Sequence, residues 1–229
     1  LVLDRATGAL FHRGFADLPE LLRPGDLLVT NRTRVFPARL LGRRAGGGSA
    51  EILLVRRRGG DLWDAMVRPG RRLRPGALID VAPGFQVRLE PPPSSEPPPT
   101  PPLRRVRLHS AGLDPEAVLE RHGHVPLPPY IHRPDRPGDR ERYQTVFARE
   151  PGSVAAPTAG LHFTPDLLQR LERTGVERAE IVLHVGPGTF RPVEVEDVRN
   201  HRVDPEPYTI PEETSAALER ARRDRRRVV

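Results

Sequence analysis

The sequence predicts an α/β (α+β) main domain with a small antiparallel β-barrel inserted into it. Three observations carry this expectation. Short segments of strand character recur at 35–43, 51–57, 62–67, 77–82, 85–90 and 104–110, with Gly/Pro turns between them and hardly a helical period. Outside that region, apolar runs alternate with helical segments that carry recognisable caps. Residues 179–185 (Ala-Glu-Ile-Val-Leu-His-Val) are apolar on both faces, as a central covered strand is. The expected division is therefore 1–34 plus 111–229 as a discontinuous α/β domain, and 35–110 as the barrel.

The elements follow in order. Residues 1–30 read as two short strands around the Ala-Thr-Gly-Ala turn at 6–9, a short helix near 17–22, a Pro-Gly turn at 24–25 and a buried strand at 27–30. That strand ends at a polar cluster, residues 31–34 (Asn-Arg-Thr-Arg), and strand exits in α/β sheets commonly bind ligands; an exposed turn explains the cluster as well. On the barrel, Arg56, Arg57, Arg58, Arg68, Arg71, Arg72 and Arg74 fall at outward positions. Such a surface suits nucleic-acid phosphates, and it equally suits plain solvation. Residues 91–102 hold eight prolines and read as a polyproline-type excursion. Asp114 caps a short helix that ends at Gly123. Residues 127–131 read as extended, 132–142 as a charged loop, and 143–147 as a return to strand.

Residues 153–163 (Ser-Val-Ala-Ala-Pro-Thr-Ala-Gly-Leu-His-Phe) are small and apolar except for Ser153, Thr158 and His162. Thr164 then caps a helix with Pro165 at its first position and Gly175 after its last. A turn feeding a helix start directs backbone N–H groups at one spot, where an anion or polar ligand fits; an ordinary strand–turn–helix connection accounts for the same residues. The strand at 179–185 exits through His184 into Gly186 and Gly188, where glycine lets a ligand approach the backbone. A tight turn over a core histidine is the alternative there. Residues 191–210 read as polar and extended, and 211–227 as a basic helix.

The 229 residues carry a net charge of +7, with arginine as the only basic residue besides histidine, and no cysteine. All-arginine usage favours a polyanionic partner such as nucleic acid, although a GC-rich or heat-adapted composition looks the same. The absence of cysteine removes disulfides, thiol catalysis and cysteine zinc sites, and fits a cytoplasmic protein. No run reaches the length of a membrane span. The opening Leu-Val-Leu and the closing Val228 and Val229 look like strands cut at their middle and at their start, so the chain reads as an internal piece of a longer protein. No Walker loop, GxGxxG or Ser-His-Asp elbow is present, and the histidines lack metal-ligand spacing. His162 and His184 beside glycine turns fit general acid–base chemistry on a polar substrate. The residues by themselves define a site and no reaction.

The stretches just described resemble the S-adenosylmethionine:tRNA ribosyltransferase-isomerase family of queuosine biosynthesis. The matching pieces run in the family's order: residues 31–35 and 37–40, the Leu-Pro-Pro-Tyr-Ile at 127–131 with Arg133, the Tyr-Gln-Thr-Val-Phe at 143–147, residues 154–163, and 183–190. The resemblance implies transfer of the ribosyl part of S-adenosylmethionine to 7-aminomethyl-7-deazaguanine at the tRNA wobble position. Isomerisation then gives epoxyqueuosine, with loss of adenine and methionine. It implies no metal, no membrane and a monomer. His162 and His184 become the catalytic pair, one as base and the other as acid or adenine contact. Thr158, Gly160 and Thr189 would shape the pocket and Arg34 would meet an anionic group. Asn31, Thr33, Tyr130, Arg133, Tyr143, Gln144, Pro157, Ala159, Leu161, Phe163, Gly186, Gly188, Phe190, His201 and Glu206 complete the implied substrate contacts. One departure stands out: where the family shows His-x-Met-His-x-Glu, this chain has His201-Arg-Val-Asp-Pro-Glu206, with Asp204 in place of the second histidine. The competing reading is a non-catalytic basic RNA-binding module, and a metal-dependent hydrolase is a third.

Overall fold

The computed structural model describes residues 1–92, 103–190, 192–193, 195–201 and 203–229. The proline-rich excursion lies outside them apart from Pro91 and Pro92. The chain opens on a hairpin of β1 (Val2–Leu3) and β2 (Leu10–Phe11), followed by the short helix α1 (Leu18–Leu21). Strand β3 (Leu27–Asn31) leads almost directly into β4 (Thr33–Val35).

Six strands then close into a barrel: β5 (Arg39–Arg44), β6 (Ser49–Gly59), β7 (Leu62–Arg68), β8 (Leu78–Ala82), β9 (Phe85–Leu89) and β10 (Leu103–His109). The order around it is β10-β7-β6-β5-β8-β9, every pairing antiparallel. Alternation drives this closure. Leu40, Ile52, Leu54, Ala65, Ile79, Val87 and Val106 are fully buried inside, and a buried Leu, Ile or Val side chain stabilises by about 1.5–3 kcal/mol. Most of their neighbours are less buried, and Arg56, Arg57, Arg58, Arg68, Arg71, Arg72 and Arg74 are all exposed as the sequence predicts. Closure leaves no free strand edge among the six.

Helix α2 (Pro115–His122) begins at Asp114, whose carboxylate accepts the Glu116 and Ala117 N–H groups, and buries Val118 and Leu119 against the barrel core. Helix α3 (Asp139–Arg142) is a single turn. The expected strand at 143–147 is instead a turn: α3 runs straight into it, and the Tyr143 N–H donates to the Asp139 carbonyl. Residues 127–131 likewise end in a turn, closed by the Ile131 N–H on the Pro128 carbonyl at 2.9 Å. Strand β11 (Glu150–Ser153) pairs in parallel with β4.

Residues 158–162 form a 3-10 turn that leads to α4 (Pro165–Arg173), capped by Thr164, whose hydroxyl accepts the Leu167 N–H at 3.2 Å. Leu167 and Leu171 pack on Leu22, Leu28 and Val176. Strand β12 (Glu177–Leu183) sits centrally, parallel to β3 on one side and antiparallel to β13 (Tyr208–Thr209) on the other. Helix α5 (Glu212–Arg223) covers it through Ala217 and Ala221, whose small size lets the helix lie close to Leu27 and Ala179. Residues 198–200 add a 3-10 turn to the segment expected to be extended. Val228 pairs with Leu27, but Val228 and Val229 are each 46% exposed rather than buried.

Candidate active site

Three strand ends converge on one imidazole. β12 ends at Leu183 and delivers His184; β4 begins at Thr33; β11 ends at Ser153. Thr33 Oγ1 lies 2.8 Å from His184 Nδ1 and 2.7 Å from Ser153 Oγ, and Ser153 Oγ accepts the Val185 N–H at 2.8 Å. Asn31 holds the junction together. Its Oδ1 accepts the Leu183 and Thr33 N–H groups, and its Nδ2 donates to the Leu183 carbonyl at 2.8 Å. Gly152 lies flat on the His184 ring: a Cβ there would come within 2.5 Å of Cε1.

His184 lines a cavity of about 700 Å³ between the barrel and the β12 exit, a size ordinary for a small-molecule site. One wall is barrel: Phe36, Trp63, Arg56, Arg57, Arg58 and Asp64. Another is the β12 exit and its neighbour segment: Val185, Gly186, Pro187, Asp204 and Glu206. Helix α2 contributes Glu116 and Glu120. A second groove of about 1390 Å³ runs past Asp61, Asp80, Gln86 and His109. It holds none of the residues the sequence singles out, whereas the first cavity holds His184, Gly186 and Glu206.

The cavity is charged and sorted. Asp64 is buried and bonded by Arg58 at 2.6 Å and Arg105 at 3.0 Å. Arg57 bonds Glu116 at 2.8 Å and lies 5.9 Å above the Trp63 ring centre. Glu206 accepts the Gly186 N–H at 2.8 Å. Burial holds the His184 pKa below its ordinary value, opposed by the negative charge of Glu150, so the imidazole is neutral near neutral pH. A neutral imidazole with one ring nitrogen fixed and the other left to a cavity can accept or donate one proton-bearing bond to a ligand.

The predicted residues divide into those at this cavity and those elsewhere. His184, Gly186 and Glu206 line it, Thr33 sits directly behind His184, and Gly188 lies next to Asp204. His162 is not in the lining. Its exposed ring stacks on Phe15 with centroids 5.1 Å apart, and Nδ1 approaches the Ala159 carbonyl at 3.2 Å. Thr158, Ala159 and Leu161 are exposed around it, Pro157 is half-buried, Gly160 packs on Thr145, and Phe163 packs edge-on to Phe15 and Phe147.

Several implied contacts are committed to the protein itself. Asn31 is spent on backbone groups. Gln144 clamps Val35 at both ends of its amide, 3.0 and 2.8 Å. Arg133 forms a two-pronged pair with Asp139 at 2.6 and 2.9 Å, holding that carboxyl well below its usual range. Tyr143 is half-buried beside the Ala156 backbone, and burial pushes its pKa up. Arg34, Tyr130 and Thr189 are exposed, Phe190 packs on the barrel core, and His201 is half-buried outside the cavity. The sequence reading missed Ser153, Gly152 and the barrel wall. Ser153 opens the most distinctive stretch of the chain, and its position there was the available signal. Nothing in the sequence says which face of a barrel meets the sheet. Among the described residues, no group of three or more His, Asp or Glu side chains is placed to hold a metal, and no helix is long and apolar enough to cross a membrane.

A mixed α/β protein with a closed antiparallel barrel, its cavity built around a neutral imidazole and faced by arginines, is the class the fold and site define. The model of the queuosine biosynthesis protein family matches residues 1–229, and the chain belongs to that family. Similar proteins include the S-adenosylmethionine:tRNA ribosyltransferase-isomerase of Moorella thermoacetica, 50% identical over 232 residues, covering all of this chain and 65% of the relative. That of Symbiobacterium thermophilum is 50% identical over 230 residues with the same coverage, and that of Rhodospirillum rubrum 51% over 209 residues, 91% of this chain and 59% of the relative. The chain thus spans less than two thirds of these relatives' length. A solved S-adenosylmethionine tRNA ribosyltransferase from Thermotoga maritima is 27% identical and covers 99% of this chain and 58% of that one. Its TM-score of 0.35 is too low to bear on the arrangement described above.

Proposed function

We propose that this chain carries the ribosyl-transfer site of an S-adenosylmethionine:tRNA ribosyltransferase-isomerase. The observation that supports it most is the cavity in which His184, Gly186 and Glu206, three residues of the family pattern, face a barrel wall of arginines and aromatic rings. Adenine and ribose suit a site of aromatic and small-residue surface, and the methionine carboxylate suits Arg56 or Arg57. The cationic sulfonium suits a cavity that also holds Asp204 and Glu206. Asp204, which replaces a family histidine, lines this cavity and so has a place in the reading as a polar contact.

The reaction follows from the substrate's chemistry. The sulfonium acidifies the adjacent C5′ protons, a base takes one of them to give an ylide, and adenine leaves as its bond to ribose breaks and its ring nitrogen takes up a proton. The amine of 7-aminomethyl-7-deazaguanine in tRNA attacks, and closure to the epoxycyclopentane expels methionine. His184 is the imidazole we place at the reacting centre. His162, exposed on its 3-10 turn, is the second candidate, for contact with the RNA. The outward arginines of the barrel hold tRNA phosphates. Calorimetry with S-adenosylmethionine and no RNA tests the site directly. Binding heat supports an enzyme cavity; its absence, together with retained tRNA binding, favours the basic RNA-binding module.

A further inference from the structure

The hydroxyl groups behind His184 determine which of its nitrogens carries the proton. Thr33 and Ser153 are 1% and 0% exposed, so neither hydroxyl reaches bulk water. Ser153 Oγ already accepts the Val185 N–H at 2.8 Å and has one hydrogen to place. Its hydroxyl contact is Thr33 Oγ1 at 2.7 Å, and Thr33 in turn touches His184 Nδ1 at 2.8 Å.

Suppose Nδ1 carried the proton and donated to Thr33. The Thr33 hydrogen would then point to Ser153 and leave the Ser153 hydrogen with no acceptor, or Ser153 would donate to Thr33 and strand the Thr33 hydrogen. Both arrangements bury an unmade hydroxyl bond. In the remaining arrangement Ser153 donates to Thr33, Thr33 donates to Nδ1, and every hydrogen is used. A buried unmade bond disfavours the alternatives roughly tenfold or more in population. We infer that Ser153 and Thr33 form a one-way hydrogen-bond relay that holds neutral His184 as the Nε2–H tautomer. The ring therefore offers its ligand a donor at Nε2 and not a base.

Nε2 has no hydrogen-bond partner among the described residues and is not sealed from solvent, so it is the nitrogen left to the cavity. Under the proposed reaction, which this step rests on, such a donor suits a ring nitrogen of adenine, where electron density builds as the bond to ribose breaks. Thr33 and Ser153 are then positioning residues: they act through His184.

The tautomer itself does not depend on the substrate assignment, and its test needs no substrate. Long-range proton–nitrogen NMR on protein labelled with 15N-histidine separates the two tautomers, with the His184 signals assigned by their loss in His184→Gln. The relay predicts an unprotonated Nδ1 and a protonated Nε2 at pH values where the ring is neutral. It also predicts the same pattern in Thr33→Ser and a mixture in Thr33→Val. A protonated Nδ1 in the unaltered protein overturns the inference, as does an unchanged pattern in folded Thr33→Val. If Thr33→Val does not fold, the unaltered protein and Thr33→Ser still decide it. Failure of S-adenosylmethionine to bind would overturn the substrate reading and leave the tautomer result standing.

Discussion

Gly152 lies against the face of His184 so closely that a Cβ would sit 2.5 Å from Cε1 and 2.7 Å from Nδ1, and its φ of +151° disfavours any side chain there. The glycine and the Thr33 hydroxyl thus fix the imidazole from two directions. Gly152→Ala must push the ring off Thr33. A displacement of about 1 Å at a reacting group costs on the order of a hundredfold in rate. Overpacking of this kind also costs about 1–3 kcal/mol of stability. Steady-state kinetics and denaturant unfolding check the two effects separately.

The lowered pKa of His184 gives a signed pH dependence. The folded protein binds this proton less readily than the unfolded chain, so the contribution of His184 to stability is complete above the ordinary value of 6.5 and is lost as pH falls through the lower folded value. The difference in unfolding free energy between the unaltered protein and His184→Gln should therefore shrink from about pH 8 to about pH 5. A difference that grows towards acid contradicts the assigned environment.

Asn31 reads as a substrate contact in the sequence and as a strand junction in the structure. Asn31→Ala leaves the Leu183 and Thr33 N–H groups without their acceptor, which should cost about 2–4 kcal/mol. Chemical denaturation measures it. A loss confined to ligand affinity, with stability unchanged, would restore the substrate reading.

Arg71, Arg72 and Arg74 are exposed and carry no ion pair among the described residues. If they meet tRNA phosphates, the triple change to Gln should weaken tRNA binding and lower the salt slope of log affinity by about 2. An unchanged slope assigns these arginines to solvation.

Most of the fold was legible because the barrel strands recur as short apolar segments between Gly/Pro turns and the helices carry their caps. Asp114, Thr164 and Gly175 all sit at helix ends that the structure shows. The segment at 143–147 misled because Tyr, Thr, Val and Phe favour strands, whereas the single turn of α3 before it already directs the backbone into a turn. His184 was legible as a strand-end histidine before glycines. The contacts that position it were not: Thr33, Ser153 and His184 are separated by 120 and 151 residues along the chain, and periodicity carries no information on such pairings. The barrel wall of the cavity was hidden for the same reason. Outward arginines on a barrel read alike whether they face solvent, RNA or a neighbouring sheet.

The most direct test of the central claim is incubation of the full-length protein with S-adenosylmethionine and precursor-bearing tRNA, followed by mass analysis of the nucleosides. The site described here predicts epoxyqueuosine with the unaltered protein and a loss of about a hundredfold or more in its rate of formation with His184→Ala. It predicts a weaker effect for His162→Ala, carried in KM for tRNA. No epoxyqueuosine from the unaltered protein, or an undiminished rate from folded His184→Ala, would contradict it.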